Sequence, residues 1–117
     1  MVEAKIIAAL GPLVNDRVYP DTATADTPLP FITFQRAGGA PLVYVDGTLP
    51  DKANARMQIN VWGKGRAEVS RVMAAVEEAL CAAPAFGLPL GGPIDRSDEL
   101  TGFKGAQQDF SVWYERS

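Results

Sequence analysis

From Arg56 to Trp62 the chain reads Arg-Met-Gln-Ile-Asn-Val-Trp. Met57, Ile59 and Val61 fall on one side of an extended backbone, and Gln58, Asn60 and Trp62 fall on the other. Strict period-two alternation suits a strand with one buried face and cannot amphipathically bury a helix. This segment therefore commits the chain to a sheet covered on one side, and the other segments have to supply the cover. Burying its three apolar side chains is worth roughly 1.5–3 kcal/mol each.

Two segments supply that cover. Arg66 to Ala82 carries Val69, Val72, Met73, Val76 and Leu80 at helical spacing, with Arg66, Ser70, Arg71, Glu77 and Glu78 off the stripe. Glu68 in the first turn favours the positive helix end, and Pro84 sets the stop. The second helix spans Val2 to Leu10, where Val2, Ile6, Ala9 and Leu10 recur at the same spacing, with Leu13 continuing it. Gly11 is read as its C-cap and Pro12 as the block to continuation. Two further strands are expected. Phe31 to Ala37 is aromatic and β-branched, with Ile32 and Phe34 on one face; Ala106 to Glu115 puts Phe110, Val112 and Tyr114 on one face. Ile94 is expected in a short strand. Residues 15–30 read as a loop pinned by Val18 and Tyr19. Residues 38–54 read as a second long connection, in which Pro41 to Val45 could form a short strand before the Asp46-Gly47 turn.

The expected class is α+β: one domain over residues 1–117, a mostly antiparallel four- to five-stranded sheet, and two helices packed on one face. The length of 117 residues and the composition of 47% apolar and 21% charged residues agree with one globular unit. The free face would then carry Phe31, Thr33, Gln35, Gln58, Asn60, Trp62, Asp109, Ser111 and Trp113. Polar residues with large aromatics among them, and few charges, resemble the centre of a protein interface. The aromatics could equally be capped by the chain's own loops or line a small-ligand pocket. Leu42, Val43, Tyr44, Val45 and Asp46 form a candidate contact loop.

Several chemistries are disfavoured. Histidine is absent, which removes the commonest general base and zinc ligand. Cys81 is the single cysteine, so it forms no internal disulfide, and as a nucleophile it lacks a histidine to activate it. Asp95, Asp98 and Glu99 lack the spacing of a calcium loop, and Arg96 intrudes. Gly63-Lys64-Gly65 matches no phosphate-binding fingerprint. A net charge of −3 with scattered Lys and Arg offers no basic stripe for nucleic acid and no basic face for a membrane. The apolar run Ile6 to Leu10 is too short for a signal peptide's core. No cofactor, metal, catalytic residue, specific nucleic acid or membrane partner is expected.

Read in order, several stretches form a familiar series: Arg17-Val18-Tyr19-Pro20; Pro28-Leu29-Pro30-Phe31-Ile32-Thr33-Phe34-Gln35-Arg36; Asp46-Gly47; Arg56-Met57-Gln58-Ile59-Asn60-Val61-Trp62; an Ala/Glu-rich helix; and Gln108-Asp109-Phe110-Ser111-Val112-Trp113-Tyr114. This order, after a short N-terminal helix, resembles the small tail-completion proteins of siphophages, prophages and gene-transfer agents. The resemblance covers nearly the whole chain and rests on order and spacing. It implies a lambda-type tail terminator. Such a protein forms a ring, usually hexameric, on the head-proximal end of the tail tube, stops polymerisation and presents a surface to the head connector. The implied partners are further copies of itself, the major tail tube protein and the head–tail connector. The implied setting is the host cytoplasm during assembly and the virion tail afterwards, and the isolated chain could remain monomeric. Two alternatives stand beside this one: a head–tail joining or neck protein, and a small-ligand-binding α+β domain.

Overall fold

The computed structural model describes residues 2–41, 45, 47, 49, 51–83 and 85–115. Its centre is the pairing of β3 (Lys52–Gly63) with β6 (Lys104–Glu115), twelve residues each, antiparallel and in register from Lys52 opposite Glu115 to Gly63 opposite Lys104. At strand rise the pair is roughly 36 Å long, which gives the molecule its elongated extents of 52 × 24 × 22 Å. The alternation recognised at 56–62 continues back to Lys52, because Ala53 and Ala55 are buried with Met57, Ile59, Val61 and the glycine at 63. Small polar and alanine residues gave that extension no apolar signal.

β2 (Phe31–Arg36) pairs antiparallel with β3, and β1 (Val18–Pro20) adds a parallel edge to β2. On the other side, β4 (Leu88–Pro89) and β5 (Ile94–Ser97) pair antiparallel with successive parts of β6. The sheet thus has six strands, in the order β1-β2-β3-β6-β4 with β5 also on β6. The α+β class and the mostly antiparallel sheet are as expected, and Ile94 does begin a short strand. The additional strands come from segments read as loops. β1 lies within 15–30, where only Val18 carries a core side chain, and its backbone is tied down because Ile32 donates to the Arg17 carbonyl and Asp21 to that of Phe34. Both terminal strands are short and carry a proline, Pro20 and Pro89.

Both helices lie on one face of the sheet. α2 (Arg66–Cys81) packs on β3 and β6 through Val69, Val72, Met73, Val76 and Leu80, all buried. Its entry turn is held by Glu68, whose carboxylate reaches back past the N-cap Gly65 to accept the Lys64 N–H at 3.1 Å. α1 (Val2–Leu10) buries Val2, Ile6 and Leu10 completely against α2, β1 and β6. Gly11 does not make the expected left-handed cap. The helix runs directly into a 3-10 turn, Gly11–Leu13, because Pro12 has no N–H for an α-helical bond but fits the first turn of a new one. The core between helices and sheet contains Ile32, Phe34, Met57, Ile59, Val61, Phe110 and Val112, none more than 2% exposed. The suggested strand at 41–45 falls mainly on residues outside those described.

Phe110 is fully buried where β6, β3 and α2 converge. Phe110→Ala should lower the free energy of unfolding by about 3–5 kcal/mol, read as a shift in the urea midpoint. A loss within 1 kcal/mol would mean that this layer is not the core.

Candidate interface on the uncovered sheet face

The register sets out the free face row by row. Phe31, Trp62, Gly105 and Arg96 form one row; Thr33, Asn60, Gln107 and Ile94 the next. Gln35, Gln58 and Asp109 follow, then Arg56, Ser111 and Leu88, and finally Asn54 and Trp113. The nine candidate residues thus share one face, but they do not share one environment. Phe31 and Thr33 are buried, at 9% and 6% exposure. Residues 21–25 and Phe103 wall that end, and the Phe31 and Phe103 rings meet edge to face at 6.5 Å and 77°. Trp62 is half-buried, its ring lying over Gly105. Gln58, Asn60, Asp109 and Ser111 are half-buried, Gln35 is exposed, and Trp113 is 41% exposed. The two tryptophans lie eight register positions apart along β3, roughly 26 Å, so they do not form one patch.

Local polar bonds give this face its order. Asn54 donates to Ser111 Oγ at 2.8 Å, and Arg56 Nε to Asp109 Oδ2 at 2.7 Å. Both are cross-strand pairs that fix side chains on a pleated surface. At the ribbon's end Lys52 pairs with Glu115. That hydrogen bond, then the lysine's charge, holds the Glu115 carboxyl below its ordinary range.

The structure brings to this face apolar side chains that the sequence reading missed. Leu88 is 63% exposed, Leu90 37% and Ile94 62%. Leu88 lies opposite Ser111 and Ile94 opposite Gln107, so both point to the helix-free side. Together with Trp113 they line the β4/β5 border of that face. The signal was present as Leu-Pro-Leu at 88–90, a period-two pair inside a segment whose prolines and glycines read as loop. Within the contact loop, Val45 is fully exposed; Leu42, Val43, Tyr44 and Asp46 lie outside the described residues.

Three hollows bear on a ligand reading. One of about 340 Å³ lies beside Trp62, walled by Phe31, Phe103, Asp98 and residues 21–25. One of about 290 Å³ lies between α2 and β5, with Ser70, Glu77 and Asp95 at its rim. One of about 540 Å³ lies on the free face between residues 37–40 and Leu90. The acidic residues serve the fold. Asp95 takes a 3.1 Å ion pair from Arg66, and Asp98 accepts the Leu100 N–H at 3.0 Å. Cys81 is an exposed thiol at the end of α2. Among the described residues no group of three or more acids or thiols converges as a metal site. Gln108 is 2% exposed and donates to Glu77 Oε2 and to the Gly91 carbonyl, which ties the 91–93 turn to α2.

Two outcomes check this geometry. A Cβ at position 105 would stand 2.7 Å from Trp62 Cε3 and Cζ3. Gly105→Ala, in a Trp113→Phe background, should therefore lift the indole and red-shift its fluorescence; an unchanged spectrum would contradict the stacking. For Glu115, a folded-state pKa below the unfolded one stabilises the fold at neutral pH, and that contribution is lost as pH falls through the folded value. In Lys52→Ala the NMR titration midpoint of Glu115 should move up toward the ordinary carboxylate value.

The comparisons with known proteins agree with this architecture. The family model described as "Tail completion protein gp17" matches residues 4–115. Among solved structures, a chain of the "Virion of native gene transfer agent (GTA) particle" is similar with a TM-score of 0.66 and 22% identity, over 97% of this chain and 91% of that chain. At that identity the likeness is one of fold. No protein of curated function matches. With the family model matched along nearly its whole length, the chain belongs to the tail completion protein gp17 family, structural proteins of phage-tail assembly.

Proposed function

We propose that the protein closes the head-proximal end of a phage tail tube as a ring, usually of six copies, which ends tube polymerisation and presents a surface for head joining. The observation that carries this reading is the one-sided cover of the sheet. Both helices pack on the same face, and Leu88, Leu90, Ile94 and Trp113 stand exposed on the other. Large apolar side chains gathered on one face of a small protein mark a protein–protein contact. A ring requires two different patches on each subunit, joined head to tail with a rotation that closes. The free sheet face supplies one of the two, with Trp62 and Trp113 toward its opposite ends and the polar residues Gln35, Gln58, Asn60, Asp109 and Ser111 between them. Phe31 and Thr33 share that face but are buried at the end walled by residues 21–25. The candidate contact segment 42–46 meets the tube or the neighbouring copy. The protein acts in the host cytoplasm during assembly and remains in the virion tail. No catalytic step belongs to this role.

Deleting the gene separates this function from that of a neck or head–tail joining protein. Electron microscopy of lysates should show overlong tail tubes. Tails of normal length beside unjoined heads would instead assign the joining role. In a complementation assay, Leu88→Asp with Trp113→Ala should lower the yield of finished particles at least about tenfold, since each removes a candidate anchor. Full complementation by that double variant would remove the face from the mechanism.

A further inference from the structure

The turn between β5 and β6 holds a leucine out in solvent. Asp98 donates its N–H to the Phe103 carbonyl at 2.9 Å, and Gly102 donates to the Asp98 carbonyl at 2.8 Å. The Asp98 carboxylate accepts the Leu100 N–H at 3.0 Å, and Phe103 donates to Thr101 Oγ1 at 3.2 Å. At the apex Leu100 is 98% exposed, beside the exposed carboxylate of Glu99. A single exposed leucine is ordinary. One fixed at the tip of a hydrogen-bonded turn is preorganised, and a contact made through it loses little conformational entropy.

A matching recess lies toward the other end of the sheet, on the free face. The hollow of about 540 Å³ is bounded by Ala37, Gly38, Gly39, Ala40, Leu90 and Ser111, with Arg56 on its rim. Its wall is hydrogen-bonded to β3. The Arg56 backbone N–H donates to the Gly38 carbonyl at 2.8 Å, and the Ala40 N–H donates to Asn54 Oδ1 at 3.0 Å. Gly39 lies so close to β3 that a Cβ there would stand 2.2 Å from the Asn54 carbonyl oxygen. The Arg56 side chain is 49% exposed and already holds Asp109. A guanidinium has five donors and accepts a second carboxylate.

The tip cannot fill its own recess. The turn ends next to Lys104, and Ser111 lies seven positions further along β6, roughly 23 Å away. We propose that Leu100 of one copy seats in the recess of the next copy, between Gly39 and Leu90, with Glu99 meeting Arg56. The occupant is a second copy because tip and recess complement each other in charge and polarity yet lie at opposite ends of one chain. That is the two-patch, head-to-tail relation from which rings are built. The inference rests on the ring reading and specifies the contact that would close it.

Disulfide trapping tests it, in full-length protein carrying Cys81→Ser, with purified tail tubes present. Leu100→Cys mixed with Ala40→Cys should give crosslinked dimers on mild oxidation, and neither alone should do so. Both substitutions in one chain should give a ladder that ends in a closed ring. Leu100→Asp, an exposed change that leaves the core intact, should weaken self-association at least about tenfold. Rings visible by electron microscopy without mixed crosslinks would overturn the contact and leave the ring reading standing. Absence of both rings and crosslinks would overturn the two together. Crosslinks between two Leu100→Cys chains would show a back-to-back contact and also overturn the proposal.

Discussion

Twelve consecutive register pairs between β3 and β6 set the position of everything else. Each strand alternates between the core and the free face, so a slip of one residue would exchange Ile59, Val61, Phe110 and Val112 with Asn60, Trp62, Asp109 and Ser111. The first set is buried under α2 and the second meets solvent or local bonds. The hydrophobic effect therefore fixes the register, and the register fixes which side chains stand on the free face. β2, β4, β5 and both helices attach to this ribbon and to one another. The free face and the core are two sides of one pairing.

The legible parts of the fold were those with strong periodicity and large apolar residues. α2, α1, β2 and the centre of β3 each announce themselves by spacing, and the one-sided cover follows from them. Two of the shorter elements, β1 and β4, were not legible, because their stability is tertiary. β1 has one core side chain and is held by backbone bonds to β2 and by Arg17, which donates to the Pro30 carbonyl at 3.0 Å. β4 has two residues, one of them proline, and is recognisable only beside β6.

The face was legible as a set of residues but not as a surface. Alternation alone placed Phe31 and Thr33 there without showing that residues 21–25 return to cover them. Conversely, Leu88 reaches the face from a segment with no strand signal, since glycine and proline dominate local propensity at 87–93, and Ile94 was legible as a short strand but not as part of the face. Trp62 lies between these cases. Its ring is stacked on the one position of β6 without a side chain, so its role begins with packing.

The edges of the sheet have a consequence for how such a molecule can accumulate. Pro20 ends β1 on one border; on the other, β4 has two residues ending in Pro89 and β5 has four residues without a proline. A proline has no N–H to offer an incoming chain, which blunts β1 and β4, and β5 is too short to template a long added strand. Copies are discouraged from joining edge to edge into open-ended fibrils, and association is left to the faces and the turns. Strand-by-strand condensation of one copy on another is thus disfavoured at both borders.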